Sequence, residues 1–256
     1  MNTLHFGLTH LPQRSKSPRS EGLTMVMDKG LSISDARGLV ETAGQYIDFI
    51  KIGFGSAAIT PNLKEKLNIY RQANIRFYFG GTLFEAFVVR DMLSQYEALL
   101  EEFEVKVMEI SDGCIQIEHS LKCEYIRHFA QRYTVLSEVG SKDKEVILPP
   151  YKWVEMIEAE LAAGAWKIIA ESREGGTIGI YRSTGEVRMG LIDEILNKIA
   201  AEQIIWEAPQ KVQQEWFIKK LGANVNLGNI PSNEVIALET LRIGLRGDTF
   251  FQYLPR

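Results

Sequence analysis

Eight short apolar runs recur along this chain at a spacing close to that of one β-strand plus one α-helix. They open at Leu23, Ile47, Ile75, Val105, Tyr133, Trp166, Ile204 and Val225. Each run ends in a cluster of charged residues and glycines. Strands that alternate with helices predict an α/β fold with a parallel sheet. Eight such units predict a single-domain (β/α)8 TIM barrel, in which all the clusters meet on one face.

Segments with helical periodicity separate the runs. They cover residues 34–43, 61–73, 84–103, 117–132, 151–163, 189–201, 211–220 and 232–245. Ser34 and Ser232 are the expected N-caps, and Gly164 and Gly222 the expected C-terminal stops. A doubly wound open sheet is the alternative architecture. The barrel is favoured because no GxGxxG opens a helix and because chemically useful residues end nearly every strand.

The domain prediction is an N-terminal tail at residues 1–20 and one catalytic barrel at residues 21–256. Single barrels of ~250 residues are common. Two connections, 141–150 and 171–188, exceed the usual length and are expected over the mouth of the barrel, the second as a lid.

The charge and hydropathy of the chain exclude several classes of protein. A net charge of -4 argues against a nucleic-acid partner, because phosphate backbones select a basic face. No apolar stretch approaches the ~20 residues that span a membrane, and no signal peptide is visible. We therefore expect a cytoplasmic protein with no membrane or nucleic-acid partner.

Acidic residues end most of the predicted strands. They are Asp28, Glu109, Asp112, Glu138, Glu171 and Glu207. Without histidine or cysteine beside them, converging carboxylates favour a hard, oxygen-preferring ion, and we predict Mg²⁺. Ion pairs with neighbouring lysine or arginine are the alternative, and spacing does not select which acids are ligands.

Basic residues and glycine-rich turns share this predicted face. The basic residues are Lys29, Lys51, Lys142 and Arg173, and the turns cover 53–56, 80–82 and 228–232. A guanidinium fork suits phosphate or carboxylate, and backbone N–H groups in glycine turns approach oxyanions. Together they favour an anionic, phosphorylated ligand, although structural ion pairs and plain turns are open alternatives. His119 and His128 fall on a helix, where we expect packing or surface roles.

A magnesium ion, a lysine and anion-binding groups suit one style of reaction. The metal offsets the charge of an enolate derived from a phosphorylated or carboxylated acid, while an amine moves a proton. This is the reaction class that the residues themselves predict.

Eight strings resemble the phosphosulfolactate synthase family and occur in its order, over roughly residues 23–249. They are KIGFGS (51–56), FGGTL (79–83), EISDG (109–113), SEVG (137–140), SREG (172–175), EAPQK (207–211), NVNLGNI (224–230) and LETLRIGLRGDT (238–249). The resemblance implies a (β/α)8 barrel that adds sulfite to phosphoenolpyruvate with Mg²⁺, giving (R)-2-phospho-3-sulfolactate. It also implies a carbon–sulfur lyase of enzyme class 4, in a sulfolactate or coenzyme M pathway, and a homotrimer as in archaeal members.

The resemblance further implies roles for individual residues. Lys142, with Glu138 at the same strand end, would be catalytic; Lys142 would protonate a metal-stabilised enolate with a pKa below the ~10.4 of a solvent lysine. Substrate would be bound by Lys51, Arg173, Gly80, Gly81, Thr82, Gly228 and Asn229. Mg²⁺ would be bound by Glu109, Asp112, Glu171 and Glu207. Another Mg²⁺-dependent enzyme of phosphoenolpyruvate and a non-enzymatic stress or sporulation protein are the alternatives.

Overall fold

The computed structural model of the chain describes residues 4–140, 148–173 and 175–255. Over these residues, eight strands alternate with helices. The strands are β1 (Thr24–Asp28), β2 (Phe49–Ile52), β3 (Arg76–Phe79), β4 (Val107–Ile110), β5 (Thr134–Val139), β6 (Lys167–Ala170), β7 (Ile204–Glu207) and β8 (Leu227–Pro231). The α-helices are α1 (Ile33–Ala43), α2 (Leu63–Gln72), α3 (Gly81–Val88), α4 (Leu93–Glu102), α5 (His119–Ala130), α6 (Pro150–Ala163), α7 (Met189–Leu196), α8 (Lys211–Leu221) and α9 (Val235–Arg242). Short 3₁₀ turns cover Leu4–Gly7, Gly44–Tyr46, Ser56–Ala58, Ala201–Gln203 and Ser232–Glu234.

The strands form one parallel sheet that curls into a nearly closed barrel. Their order is β3-β2-β1-β8-β7-β6-β5-β4, and β3 and β4 lie side by side where the barrel closes. Every apolar run seen in the sequence contains or adjoins one strand, so the (β/α)8 prediction is confirmed. Each helix in the described part of the chain is too short or too polar to cross a lipid bilayer.

Two apolar clusters hold the barrel together. The larger one lies between the outer faces of the strands and the surrounding helices. The smaller one fills the barrel interior and consists of Leu23, Met25, Phe49, Tyr78, Val107, Leu136, Ile169 and Ile205. Because strand side chains alternate between faces, the residue two positions after an interior residue faces inward too, one layer closer to the mouth. That layer is where the functional side chains lie.

The segment 84–103, expected as one helix, is two. Helix α3 ends at Val88 and α4 begins at Leu93, with Asp91 at a left-handed φ of 55° between them. The helical spacing continues across the break because both helices direct aromatic rings to one contact. The Phe84 and Tyr96 ring centroids are 5.7 Å apart.

The ends of the helices agree with the sequence at their C-termini and differ at two N-termini. Gly164 and Gly222 follow α6 and α8 as predicted, both at positive φ. The cap of α1 is Ser32, whose side chain accepts from Asp35 N in a capping box, and not Ser34. Ser232 begins a 3₁₀ turn, so α9 starts three residues later than expected. The serine caps were predicted wrongly because several polar residues precede each helix and local sequence does not choose between them.

The N-terminal segment crosses the base of the barrel, the end where the strands begin. Arg14 Nε lies 2.8 Å from Glu239 Oε1, and Arg14 also donates to Asn224 Oδ1 at 2.5 Å. Arg19 Nε lies 3.0 Å from Asp48 Oδ1, and both side chains are almost fully buried. The part of the expected tail that carries these arginines therefore packs against the barrel.

Candidate active site

A cavity of about 240 Å³ opens at the mouth, the end where the strands finish. It is lined by Met27, Lys51, Phe54, Gly80, Gly81, Thr82, Glu109, Cys114, Glu138, Glu171, Arg173, Glu207 and Asn229. Four glutamates in this set follow the same local pattern, an interior apolar residue, one outward residue and then glutamate. The strings are VME (107–109), LSE (136–138), IAE (169–171) and IWE (205–207). The pattern was available in the sequence and explains why these acids share the cavity.

Lys51 lies at the bottom of the cavity among three glutamates. Its Nζ is 2.9 Å from Glu109 Oε2, 3.5 Å from Glu207 Oε1 and 3.7 Å from Glu138 Oε2. Burial acts to lower the pKa of Lys51, but the three carboxylates outweigh it and raise that pKa well above its ordinary value. The three carboxylates therefore favour the charged form of Lys51, which lies between them.

Glu207 is a buried carboxyl whose surroundings disfavour its charged form. Burial raises its pKa above the ordinary carboxyl value, and the charges of Glu138 and Glu109 add to this effect against the opposing charge of Lys51. Its Oε2 accepts from the backbone N of Ser172 at 2.9 Å and from Ser172 Oγ at 3.2 Å. The carboxylate is thus held in place at the end of β7, in a cluster that holds more acid than base.

Glu109 joins the seam between β3 and β4 to the start of α3. Its Oε1 accepts from Gly81 N at 2.6 Å, which places a carboxylate at the positive end of that helix. A Cβ on Gly81 would stand 2.9 Å from the same oxygen, so glycine permits this approach. The N–H of Gly81, expected to contact substrate, is thus bonded to Glu109.

Glu85 supports the same seam, and sequence analysis did not select it. It is 1% exposed, accepts from Ser111 Oγ, and accepts from Cys114 N at 2.6 Å. The signal that could have revealed it is a single acid on the apolar face of α3, where an unpaired charge would be costly.

Arg173 and Asn229 supply two further polar side chains to the lining of the cavity. Arg173 is exposed at the end of β6, with a left-handed φ of 56°. Asn229, in β8, has a φ of 54°, and its Oδ1 is buried with no hydrogen-bond partner among the described residues. An amide oxygen only accepts, so this atom suits a hydrogen-bond donor or a cation, and the group at the rim that suits an anion is Arg173.

The connection after β6, expected as a lid, is well anchored over residues 175–188. Gln213 of α8 donates to the backbone oxygens of Gly176 at 2.7 Å and Gly185 at 3.3 Å. Tyr181 donates to the backbone oxygen of Glu207 at 2.6 Å and pairs with Val187 in an antiparallel bridge. These bonds hold the stretch against α8 and the end of β7, and none of residues 175–188 lines the cavity.

Some of the predicted site residues lie elsewhere. Asp112 pairs with Lys122 Nζ at 3.0 Å and does not line the cavity. Gly228 lies within β8, where a Cβ would stand 2.6 Å from Met25 Cε, so its role is close packing inside the barrel. Lys142 lies outside the described residues.

Asp28, the acid at the end of β1, is buried and does not line the cavity. Its Oδ2 accepts from Tyr70 Oη at 2.9 Å and lies 2.9 Å from Lys66 Nζ. The two helical histidines are also elsewhere, with His119 beside Glu160 at 3.1 Å and His128 beside Glu97 at 2.8 Å.

The charge of the cavity bears on whether it suits a metal ion. Among its described lining residues, four carboxylates face two cations, Lys51 and Arg173. In the described part of the chain, no three acidic, histidine or cysteine side chains are arranged as a complete metal site. Mg²⁺ often takes only one or two carboxylates and completes its shell with water and substrate oxygens. The four carboxylates and the excess of negative charge therefore fit Mg²⁺ shared with a bound anion. The lining also contains the sulfur atoms of Cys114 and Met27, so the expectation that no cysteine lies beside the acids was wrong.

Comparison with known proteins gives a consistent result. The family model described as (2R)-phospho-3-sulfolactate synthase (ComA) matches residues 12–248. Phosphosulfolactate synthase of Bacillus subtilis (strain 168) is 42% identical over 244 residues, covering 94% of this chain and 97% of that protein. The phosphosulfolactate synthase of Methanothermobacter thermautotrophicus is 43% identical over 244 residues, covering 93% and 95%. Among solved structures, 3-hexulose-6-phosphate synthase from Salmonella typhimurium is similar in fold, with a TM-score of 0.56 at 12% identity over 86% of this chain and 97% of that one.

Proposed function

We propose that this chain, which belongs to the phosphosulfolactate synthase family, joins sulfite to phosphoenolpyruvate to form (2R)-phospho-3-sulfolactate. Enzymes with this name are carbon–sulfur lyases. The observation that carries the proposal is the cavity at the barrel mouth, where Lys51 lies among three glutamates and Arg173 lies at the rim. Its volume of about 240 Å³ suits two small anions.

The proposed reaction forms one carbon–sulfur bond. The sulfur lone pair of sulfite attacks the methylene carbon of phosphoenolpyruvate, and the π electrons move toward the adjacent carbon and its carboxylate. A proton then adds to that adjacent carbon, which completes the product. Negative charge therefore develops on the substrate carboxylate, and fixed positive charge near it would lower the barrier.

The residues of the chain divide these tasks. Lys51 has a strongly raised pKa and cannot release its proton easily, so its proposed role is electrostatic. Arg173 is exposed at the rim, where its guanidinium can bind the phosphate or the sulfonate oxygens. Proton donation remains assigned to Lys142, four residues after Glu138 in the sequence, on the basis of the family resemblance.

Mg²⁺ is part of the proposal because the described acids of the cavity outnumber its bases. Glu171 and Glu207 are the proposed ligands, with Glu109 committed more closely to Lys51 and Gly81. When bound, the ion would offset the negative charge that develops on the substrate carboxylate.

The test is an assay of the pure protein with phosphoenolpyruvate, sulfite and MgCl₂. We expect loss of the enol absorbance that requires sulfite, with a product of the mass of phosphosulfolactate and activity that EDTA removes. Arg173→Met should raise KM, and Arg182→Met, an arginine outside the cavity, is its control. Consumption without sulfite, or none at all, would contradict the proposed reaction.

A homotrimer is also proposed, on the basis of the family resemblance. Exposed apolar side chains such as Phe6 and Phe251 supply surface suited to association. Light scattering after size-exclusion chromatography should give three times the mass of one chain; the mass of a single chain would contradict the trimer.

A further inference from the structure

Lys122 is a fully buried lysine that lies behind the active site and outside its cavity. It belongs to α5 and is 0% exposed. Its Nζ is 2.9 Å from Glu160 Oε1 and 3.0 Å from Asp112 Oδ1. The same Nζ donates to the backbone oxygen of Glu138 at 2.6 Å. One ammonium group therefore ties the end of β5 to the loop after β4 and to α6.

An ion pair alone does not account for this arrangement. Taking a lysine and Glu160 fully out of water is costly, and apolar residues of similar size often replace such pairs without loss of stability. What an apolar residue could not supply is the donor to the carbonyl oxygen of Glu138. The side chain of Glu138 extends in the other direction, and its carboxylate lies 3.7 Å from Lys51 Nζ in the cavity.

We infer that Lys122 is a positioning residue for Glu138. Its bond to the backbone oxygen fixes the end of β5, and this keeps the Glu138 carboxylate among the groups around Lys51. The inference rests on the proposed function insofar as Glu138 belongs to the reacting site. Among the hydrogen-bond and ion-pair partners of Lys122 in the described residues, only this carbonyl belongs to a residue that lines the cavity.

The molecule provides a matched control in Lys66. This lysine belongs to α2, is 1% exposed, and lies 2.9 Å from Asp28 Oδ2. It also donates to a backbone oxygen, that of Leu31, at 3.1 Å. Lys66 thus has the same burial and the same kinds of bond, but neither of its partners lines the cavity.

The experiment compares two charge-neutral double variants, because Lys122→Met alone would leave the Glu160 carboxylate buried without its lysine. In Lys122→Met/Glu160→Gln we expect kcat to fall about 100-fold while KM for either substrate stays within about threefold. In Lys66→Met/Asp28→Asn, kcat should stay within about threefold despite a similar loss in melting temperature. Glu160→Gln alone keeps the donor to Glu138 and should behave like wild type in kcat. Equal losses of kcat in both double variants, or no loss in the first, would overturn the inference.

A second readout separates this inference from the proposed function. If the wild type does not turn over phosphoenolpyruvate and sulfite, the proposed function has failed, and hydrogen exchange decides the positioning role. Amides of residues 134–140 should exchange faster in Lys122→Met/Glu160→Gln than in Lys66→Met/Asp28→Asn. The same exchange in both variants would reject the role of Lys122.

Discussion

The two ends of the barrel both bury charged side chains, with opposite results. At the base, Arg14 pairs with Glu239 and Arg19 with Asp48, while Arg242 lies within reach of their charges. All three guanidiniums also donate to backbone oxygens. Here cations exceed acids, and the bonds join the N-terminal segment to the barrel.

At the mouth, acids exceed cations among the described residues, and a cavity remains between them. The contrast appears within one residue type. Burial acts to raise the pKa of Glu239, but Arg14 outweighs it and the pKa is lowered, whereas burial raises that of Glu207 and Lys51 does not reverse it. The carboxylates at the base are each paired with a guanidinium. Those at the mouth outnumber the cations among the described lining residues, which suits a bound cation.

The largest effect should come from removing the cation at the mouth. Lys51→Met leaves three buried carboxylates without their shared partner, so we expect stability to fall by about 3–5 kcal/mol. Activity should fall by more than about 100-fold, as when a charge-stabilising group is lost from an active site. Chemical denaturation and steady-state kinetics measure the two losses. Activity close to wild type would show that Lys51 serves the fold alone.

Substitutions at the base should lower stability and leave activity unchanged. Arg14→Ala/Arg19→Ala leaves Asp48 and Glu239 buried without their guanidiniums, so the free energy of unfolding should fall by about 3–5 kcal/mol. At a temperature where the variant is folded, kcat should match wild type. Arg37→Ala breaks an exposed pair with Glu65 and is the control, with no measurable change expected. A loss of kcat as large as that of Lys51→Met would remove the distinction between the two ends.

The pH dependence of stability should have opposite signs at the two ends. The raised pKa of Glu207 means that the folded protein binds its proton more tightly, so its contribution to stability is lost as pH rises through the folded pKa. The lowered pKa of Glu239 gives a contribution that is present above the ordinary carboxyl pKa and lost as pH falls through the folded pKa.

Two variants isolate these contributions. Relative to wild type, Glu207→Gln should gain stability as pH rises, and Glu239→Gln should lose it. Urea denaturation between about pH 4 and pH 8 measures both slopes. Slopes of the same sign would show that the two carboxyls do not differ as the structure indicates.

The smallest effect is expected for the acid that the sequence placed among the metal ligands and the structure places outside the cavity. Asp112→Asn should leave kcat and the half-saturating Mg²⁺ concentration within about threefold of wild type, because Asp112 lies outside the cavity and asparagine keeps the Oδ1 acceptor for Lys122. Glu171→Gln, which alters a cavity residue, should raise that concentration at least about 10-fold. A magnesium titration of activity measures both, and an equal rise in the two variants would place Asp112 among the ligands.

The sequence by itself determined the eight strands, favoured the barrel over an open sheet, and identified the four glutamates that line the mouth. These features are local: a buried parallel strand is an apolar run, and side chains alternate along it. In the string apolar–any–Glu, the first and third side chains therefore face the barrel interior at the ends of four strands, as at Val107-Met108-Glu109. The family strings are likewise read along the chain.

Only the tertiary structure decided which charges meet. Lys51 and Glu207 are 156 residues apart in sequence, and the closure of the parallel barrel brings them together. Arg14 and Glu239 are 225 apart and meet because the N-terminal segment crosses the base beside α9. Asp28 and Asp112 also follow strands, yet lysines from the surrounding helices pair with them outside the cavity. Composition shows that acids and bases are available, but the free energy of a buried charge depends on the atoms within a few ångströms of it, and those come from distant parts of the chain.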